Sequence, residues 1–203
     1  VVDIDPDLAR RVADELGAAR WSTDWRDALA DDVALADVST PNHLHEEAAV
    51  ALLAAGKDAI VQKPLAPSVD ACRRIVDAAR AHGRTAAVYM SDLEDPAVWD
   101  LRDLIRGGHL GQVTGVRGRY AHRGGLSAPA RPDYWRGSAA KTGGGSFVQL
   151  AIHHVNLASW LLDDAPRSVC GHVANLACPN IGGDDTAVGA VDFARTGALG
   201  VFE

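Results

Sequence analysis

Two side chains in this sequence, Lys63 and His153, have the chemistry required to work on a hydroxyl group. The ammonium group of a lysine can hydrogen-bond a hydroxyl and stabilise the alkoxide that develops from it. The imidazole of a histidine can remove the hydroxyl proton near neutral pH. Taken singly, Lys63 is equally well interpreted as a solvated surface lysine, and His153 as a buried or surface histidine.

His153 follows a run of three glycines, 143–145, that leads directly into a helical pattern. Gln149, His153 and Asn156 recur at spacings of four and three, which places them on one face of that helix. We therefore expect Gln149 to orient His153 and Asn156 to face the same substrate. His154 points about 100° away on an ideal helix and is the weaker candidate.

Lys63 belongs to a second pattern, in which polar residues directly follow the predicted strands. In an open parallel α/β sheet, ligands bind in the crevice beyond the carboxyl ends of the strands. Lys63 also precedes Pro64, which favours an extended backbone and raises the chance of a cis peptide bond. The polar residues at these strand ends are Asp3, Thr40, Asn42, Gln62, Lys63, Ser91 and Asp92.

The loop 39–45 joins a strand to a helix, and its backbone N–H groups together with the helix N-terminus suit a polar ligand. An ordinary helix-capping loop is the alternative interpretation. The residues of this loop that we expect at the ligand are Ser39, Thr40, Pro41, Asn42 and His45.

Two further positions bear on a dinucleotide ligand. The carboxylate of Asp3 can accept both hydroxyl protons of an adenosine ribose and repels a 2′-phosphate, which favours NAD over NADP. A turn residue or helix N-cap is the alternative for Asp3. Trp135 and Arg136 form an aromatic–arginine pair that could cover a cofactor or hold substrate oxygens, and packing within their own loop is equally consistent with the sequence.

Strand and helix signals alternate through residues 1–91, which predicts a parallel sheet covered by helices. The strands are expected at 1–4, 20–22, 33–38, 59–61 and 85–89. Helices are expected after the caps Asp5, Thr23 and Ser68 and over 45–55, with glycines 17, 56 and 83 ending three of them. The expected apolar faces are Leu8, Val12 and Leu16 in the first helix, and Val69, Cys72, Ile75 and Val76 in the last.

The pattern changes near Ser91, where we place a domain boundary. Helices are expected at 96–105 and 146–162. Between these helices we expect a long strand at 112–122, followed by a Gly/Pro-rich loop that runs to residue 145. Three antiparallel strands are expected at 169–177, 186–193 and 198–202, the last two joined at Thr196-Gly197.

Composition excludes several classes of function. The formal charge of −7 argues against nucleic-acid binding, which needs a basic face. No apolar run approaches the roughly 18 residues of a membrane span. The three cysteines lack metal-like spacing and are expected to be reduced in a cytoplasmic protein without a metal site. Strand signals that are cut short at both ends predict a truncated chain.

Several segments, in order and spacing, resemble the Gfo/Idh/MocA oxidoreductase family over essentially the whole chain. The segments are 3–6, 39–45, 55–57, 62–66, 107–111, 134–136 and 143–145 through His153. The resemblance implies an NAD(P)-binding Rossmann domain over residues 1–91, lacking its N-terminal glycine-rich strand, loop and helix. It further implies an α/β substrate and oligomerisation domain with a mostly antiparallel sheet over residues 92–203, lacking its C-terminal end.

The resemblance also implies a function. Lys63 and His153 fall on the lysine and the active-site histidine of the family, whose members often oxidise a hydroxyl of a sugar or inositol with NAD(H) or NADP(H), as homodimers or homotetramers. Here glutamine stands at 62 and 149 where the family has acids, Asn156 replaces a third acid, and 91–93 reads Ser-Asp-Leu in place of Asn-x-Arg. Without a carboxylate at 149, His153 is expected to be a weaker base.

The leading hypothesis is an NAD-dependent dehydrogenase of a small polyol, with NADP as the second cofactor. Two alternatives stay open. One is an enzyme that retains its NAD and breaks a glycosidic or C–O bond through transient oxidation. The other is a non-catalytic sensor or partner subunit that binds dinucleotide without turnover, which the replacements at 149, 156 and 93 motivate.

Overall fold

The computed structural model describes residues 1–131 and 133–203, which fold as two compact units. The first unit comprises Val1–Thr40 and Leu44–Tyr89, and the second comprises Pro41–His43 and Met90–Glu203.

The first unit contains a three-stranded parallel sheet in the order β1, β2, β3. The strands are β1 (Leu35–Val38), β2 (Asp58–Gln62) and β3 (Ala86–Tyr89). The helices that connect and cover them are α1 (Pro6–Leu16), α2 (His45–Ala54) and α3 (Val69–His82), with a 3-10 segment at Trp25–Leu29. The expected parallel sheet is therefore confirmed.

The ends of two of these helices follow local rules of capping. The Asp5 carboxylate accepts hydrogen bonds from the N–H groups of Asp7 and Leu8, and Pro6 occupies the first turn of α1. The Ser68 hydroxyl caps α3 by accepting from Ala71 N–H at 3.2 Å. Gly17 and Gly83 end α1 and α3 in the left-handed conformation, where a side chain is disfavoured.

Three local expectations in this unit are wrong. Residues 1–4 and 20–22 do not form strands but meet in a single parallel bridge between Val2 and Ser22. The 3-10 segment is capped by Asp24 rather than Thr23, because the Asp24 carboxylate reaches Arg26 N–H at 3.0 Å.

The apolar faces expected for α1 and α3 are correct only in part. Ile75 is buried, and Leu8, Val12 and Cys72 are half-buried. Leu16 and Val69 are 73% and 65% exposed, and Val76 is exposed as well. The fully buried positions are Ala9 and Ala13 in α1 and Ala71 and Ile75 in α3. The core of the unit is made by β1, β2, α2 and α3, through Val38, Ala49, Leu52, Leu53, Val61 and Ile75.

The second unit contains a mixed four-stranded sheet in the order β4, β7, β6, β5. Its strands are β4 (Gly115–Gly118), β5 (Pro166–Ala174), β6 (Thr186–Phe193) and β7 (Leu199–Phe202). The pairs β5–β6 and β6–β7 are antiparallel and β4–β7 is parallel, so the expected mostly antiparallel sheet is confirmed. Its helices are α4 (Pro96–Arg106), α5 (Ala139–Thr142) and α6 (Ile152–Leu162).

Helix α6 packs on this sheet, with Ala158 and Leu162 against Val191, Phe193 and Phe202. The predicted strand at 112–122 is reduced to the four residues of β4. The predicted strand at 169–177 instead ends at Ala174, because the backbone N–H groups of 176–178 turn towards the Asp185 carboxylate. These hydrogen bonds lower the pKa of Asp185 below its usual range.

The turn between β6 and β7 lies at Thr196-Gly197 as expected. The Asp164 carboxylate accepts hydrogen bonds from the N–H groups of Arg195 and Thr196 and from the Thr196 hydroxyl. Burial opposes ionisation of Asp164, but these hydrogen bonds outweigh it and lower its pKa to about 2.

None of the helices described over 1–131 and 133–203 has the length and apolar character needed to cross a bilayer. Cys72, Cys170 and Cys178 are free thiols. Within the same residues, no three metal-ligating side chains converge in a geometry that could hold an ion.

Candidate active site

The carboxyl ends of β1, β2 and β3 lie side by side in the first unit. Val38 pairs with Val61, and Gln62 pairs with Tyr89, so the loops that follow β1 and β2 start at the same edge of the sheet. At this edge the hydroxyl oxygen of Thr40 is buried without a hydrogen-bond partner among the described residues. A buried polar atom of this kind is a position at which a bound polar ligand would complete the hydrogen bonding.

Lys63 is half-buried at the end of β2. Its backbone N–H donates to the side-chain oxygen of Gln62 at 2.9 Å, and its peptide bond to Pro64 is cis, as the sequence had suggested. The glutamine at this position thus takes part in holding the backbone of the lysine.

His45, a predicted ligand contact, is fully buried. Its Nδ1 lies 2.9 Å from the carbonyl oxygen of Pro64 and its Nε2 lies 2.8 Å from the carbonyl oxygen of Thr40. The imidazole therefore ties the loop that follows Lys63 to the loop that follows β1. Both ring nitrogens thus face backbone carbonyl oxygens, and a contact of His45 with a ligand stays a prediction.

The other polar residues predicted in this unit make local contacts. The Ser39 hydroxyl donates to the Asp37 carboxylate at 2.7 Å. An Asp3 carboxylate oxygen accepts from Asp5 N–H at 2.9 Å, as in the turn that was the alternative interpretation. The second Asp3 oxygen takes no part in that bond, so the ribose role stays a prediction.

In the second unit, Thr142 directly precedes the glycine run, and its backbone carbonyl binds two side chains. Its carbonyl oxygen accepts from the side-chain amide of Asn42 at 3.1 Å and from that of Gln149 at 3.0 Å. A carbonyl oxygen has two lone pairs, so both donors can be satisfied at once. Asn42 and Gln149, both predicted as site residues, are brought together at this carbonyl.

The glycine run itself is held by Asp184, which sequence reasoning missed. The Asp184 carboxylate accepts from Gly145 N–H at 3.0 Å, from Phe147 N–H at 2.8 Å and from the Ser146 hydroxyl at 2.8 Å. A β-carbon at Gly145 would lie 2.0 Å from the carbonyl oxygen of Asp184, so the close approach requires glycine. Gly143 has φ 88°, a left-handed conformation that also favours glycine.

The predicted helix over 146–162 begins with a π-helical turn, Phe147–Ala151, and continues as α6. Such wide turns occur often at functional sites. His153 lies in the first turn of α6, and its side chain is only 14% exposed. Its Nδ1 is 3.2 Å from a carboxylate oxygen of Asp92, which lies in the 3-10 segment Ser91–Glu94.

The remaining predicted substrate contacts are spread over the second unit. The Arg136 guanidinium stacks over the Trp135 ring at 4.6 Å, which is the packing within the loop that the sequence left open. Asn156 borders a surface depression with Ser159 and Trp160. The roles of these three residues at a substrate stay predictions.

Comparison with known proteins places the chain among oxidoreductases. A family model described as an oxidoreductase family with an NAD-binding Rossmann fold matches residues 1–90, and one described as the GFO/IDH/MocA C-terminal domain matches residues 98–203. Among curated proteins, levoglucosan dehydrogenase of Pseudarthrobacter phenanthrenivorans is 30% identical over 165 residues, which are 81% of this chain and 42% of that protein. Inositol 2-dehydrogenase of Acidothermus cellulolyticus is 33% identical over 171 residues, 83% of this chain and 47% of that protein.

Solved structures agree with this placement. An oxidoreductase domain protein from Kribbella flavida superposes with a TM-score of 0.88 at 33% identity, covering 99% of this chain and 56% of that one. Levoglucosan dehydrogenase in complex with NADH and levoglucosan superposes with a TM-score of 0.89 at 27% identity. The match covers 99% of this chain and 55% of that one. The chain spans about half the length of the relatives it matches. On these matches, the chain belongs to the Gfo/Idh/MocA family of NAD-binding oxidoreductases.

Proposed function

We propose that the full-length protein is an NAD(P)-dependent dehydrogenase acting on a CH–OH group of a sugar, an inositol or a related polyol. The observation that carries this proposal is Lys63, held by Gln62 at the carboxyl edge of an NAD-binding Rossmann sheet. Relatives include levoglucosan, inositol and scyllo-inositol dehydrogenases, which are the basis for the substrate class.

The residues at the sheet edge fit a dinucleotide. The buried Thr40 hydroxyl lacks a partner among the described residues, so a polar ligand at this edge could complete its hydrogen bonding. When bound, the nicotinamide supplies the acceptor for the hydride that leaves the substrate carbon. The residues that would hold the cofactor are Asp3, Ser39, Thr40, Pro41, Asn42, His45, Gln62, Lys63 and Ser91.

Lys63 and His153 divide the chemistry at the substrate hydroxyl. His153 removes the hydroxyl proton at Nε2, because its Nδ1 already faces Asp92. The Lys63 ammonium hydrogen-bonds the same oxygen and stabilises the negative charge that develops on it. Neighbouring hydroxyls of the polyol are held by Trp135, Arg136, Gln149 and Asn156.

The two domains inferred from the sequence contribute differently to this activity, although Lys63 of the first also acts on the substrate. Residues 1–91 form the cofactor domain, and residues 92–203 carry the base, bind the substrate and contribute to a homodimer or homotetramer. NAD is the expected cofactor because the Asp3 carboxylate suits a free ribose 2′-hydroxyl and repels a 2′-phosphate. NADP is the second choice, and one matched relative is a D-xylose 1-dehydrogenase that uses NADP⁺.

The test is an assay of the full-length protein with NAD or NADP against a panel of sugars and inositols, following the absorbance of reduced nicotinamide. We expect net, substrate-dependent reduction of the cofactor, faster with NAD than with NADP. Cleavage of a glycoside without net reduction would instead identify an enzyme that retains its NAD. Clear NAD binding without turnover on any polyol would contradict the proposal and favour a sensor or partner subunit.

A further inference from the structure

A carboxylate contacts the imidazole of His153 even though the helix that carries His153 lacks the expected acid one turn earlier. That position is Gln149, whose side-chain amide donates to the Thr142 carbonyl. The carboxylate comes from Asp92, with Oδ2 at 3.2 Å from Nδ1. Both of these atoms are buried from solvent, and they approach closely without the alignment of a hydrogen bond.

We propose that Asp92 is the residue that orients His153 and fixes its tautomer, in place of an acid on the helix. Asp92 is a positioning residue in this assignment, since it acts on the substrate only through His153. The inference rests on the proposed dehydrogenase function. It assigns to Asp92 the negative charge beside His153 that an acid at position 149 would have supplied.

The chemical argument follows from the hydrogen-bonding capacity of the two groups. A neutral imidazole carries one N–H donor and one acceptor nitrogen, whereas an ionised carboxylate only accepts. The negative charge of Asp92, 3.2 Å from Nδ1, therefore favours the tautomer with the proton on Nδ1, which leaves the lone pair on Nε2. That lone pair is what a general base needs, and the carboxylate also stabilises the imidazolium that forms once the proton has been taken.

The other charged and titratable groups on the elements packed around α6 contact residues other than His153. From α4, Arg102 stacks over the Trp160 ring at 3.7 Å. From β4 and the residue after β7, Arg117 and Glu203 form an ion pair with each other. On α6 itself, the His154 ring lies 5.9 Å from that of Tyr120, on the side of the helix that faces Gly118. Asp92 is the carboxylate placed at Nδ1 of His153.

A substitution at this contact should change His153 without unfolding the protein. Asp92→Asn keeps the size of the side chain but replaces the carboxylate with a neutral amide. Glu94→Gln is the matched control, because it removes one charge from an exposed position in the same 3-10 segment. Asp92→Glu restores the carboxylate on a longer side chain.

The direct measurement is ¹⁵N NMR of histidine tautomers and their titration in the full-length protein, with the His153 signal assigned by its loss in a His153→Asn variant. We expect wild type to show the Nδ1-protonated tautomer. In Asp92→Asn, His153 should titrate at a pH lower by about one unit, since an imidazolium loses its counter-ion. Glu94→Gln should leave the tautomer and the titration unchanged.

Kinetics provide the second readout. In Asp92→Asn, kcat should fall by roughly 10²-fold with KM little changed, and the acidic limb of the kcat/KM profile should move to lower pH. Asp92→Glu should recover part of kcat. An unchanged tautomer and titration of His153 in Asp92→Asn would overturn the inference, and so would an equal effect of Glu94→Gln. The NMR outcome is independent of turnover, so it stands even if no polyol proves to be a substrate.

Discussion

Replacing Lys63 with alanine in the full-length protein should lower kcat by about 10²–10³-fold while changing NAD affinity by less than about threefold. The ammonium group is expected to matter mainly when charge builds up on the substrate oxygen. Its loss therefore raises the barrier to reaction far more than it weakens binding of the cofactor, which has many other contacts. Steady-state kinetics give kcat, and a fluorescence titration with NADH gives the affinity.

Two controls separate this role from a general effect of charge. Arg73→Ala removes a positive charge from the same unit, at an exposed ion pair with Asp70 on α3, and should leave kcat unchanged. Adding a small alkylammonium ion to Lys63→Ala should restore part of the lost rate. Normal turnover in Lys63→Ala would rule out the catalytic role, and loss of NADH binding would show that Lys63 acts mainly by holding the cofactor.

Replacing His153 with alanine should lower kcat by about 10²–10⁴-fold, because no general base remains to take the hydroxyl proton. The pH dependence should change with it. In wild type, kcat/KM should fall at acid pH as the imidazole becomes protonated, whereas the variant should lack that limb. A pH series of kcat/KM on both proteins measures this directly.

The matched control for His153 is His172, an exposed histidine on β5 of the same unit. His172→Ala should retain the wild-type rate and the wild-type acidic limb. If the acidic limb persists unchanged in His153→Ala, another group is the base and the assignment is wrong. A small loss of rate without change in the pH profile would instead indicate that His153 only packs within its unit.

Features of the fold that depend on neighbouring residues could be predicted from sequence. Asp5 and Ser68 start helices, and Gly17 and Gly83 end them, because a cap bonds to groups within a few residues along the chain. The parallel sheet also followed, since short strand–helix–strand units bring successive strands side by side in the same direction.

Features that depend on distant residues could not be predicted in this way. Asp184 accepts a hydrogen bond from the N–H of Gly145, which lies 39 residues earlier in the chain. The only local signal for this residue is that it lies in a Gly-Gly-Asp-Asp segment, which is typical of a turn. Asp92 was recognised as a polar residue at a strand end, but its contact with His153 depends on how α6 packs against the 3-10 segment. Likewise, the periodicity of α3 correctly indicated that Ile75 would be buried, but it did not show that Val69 would be exposed.

The most direct test of the proposed chemistry is an experimental structure of the full-length protein with NADH and a bound polyol. The account predicts that Lys63 Nζ and His153 Nε2 both lie within hydrogen-bonding distance, about 2.6–3.2 Å, of one hydroxyl oxygen of that polyol. A structure in which the two nitrogens face different cavities, or in which either contacts only protein atoms beside the bound polyol, would contradict it.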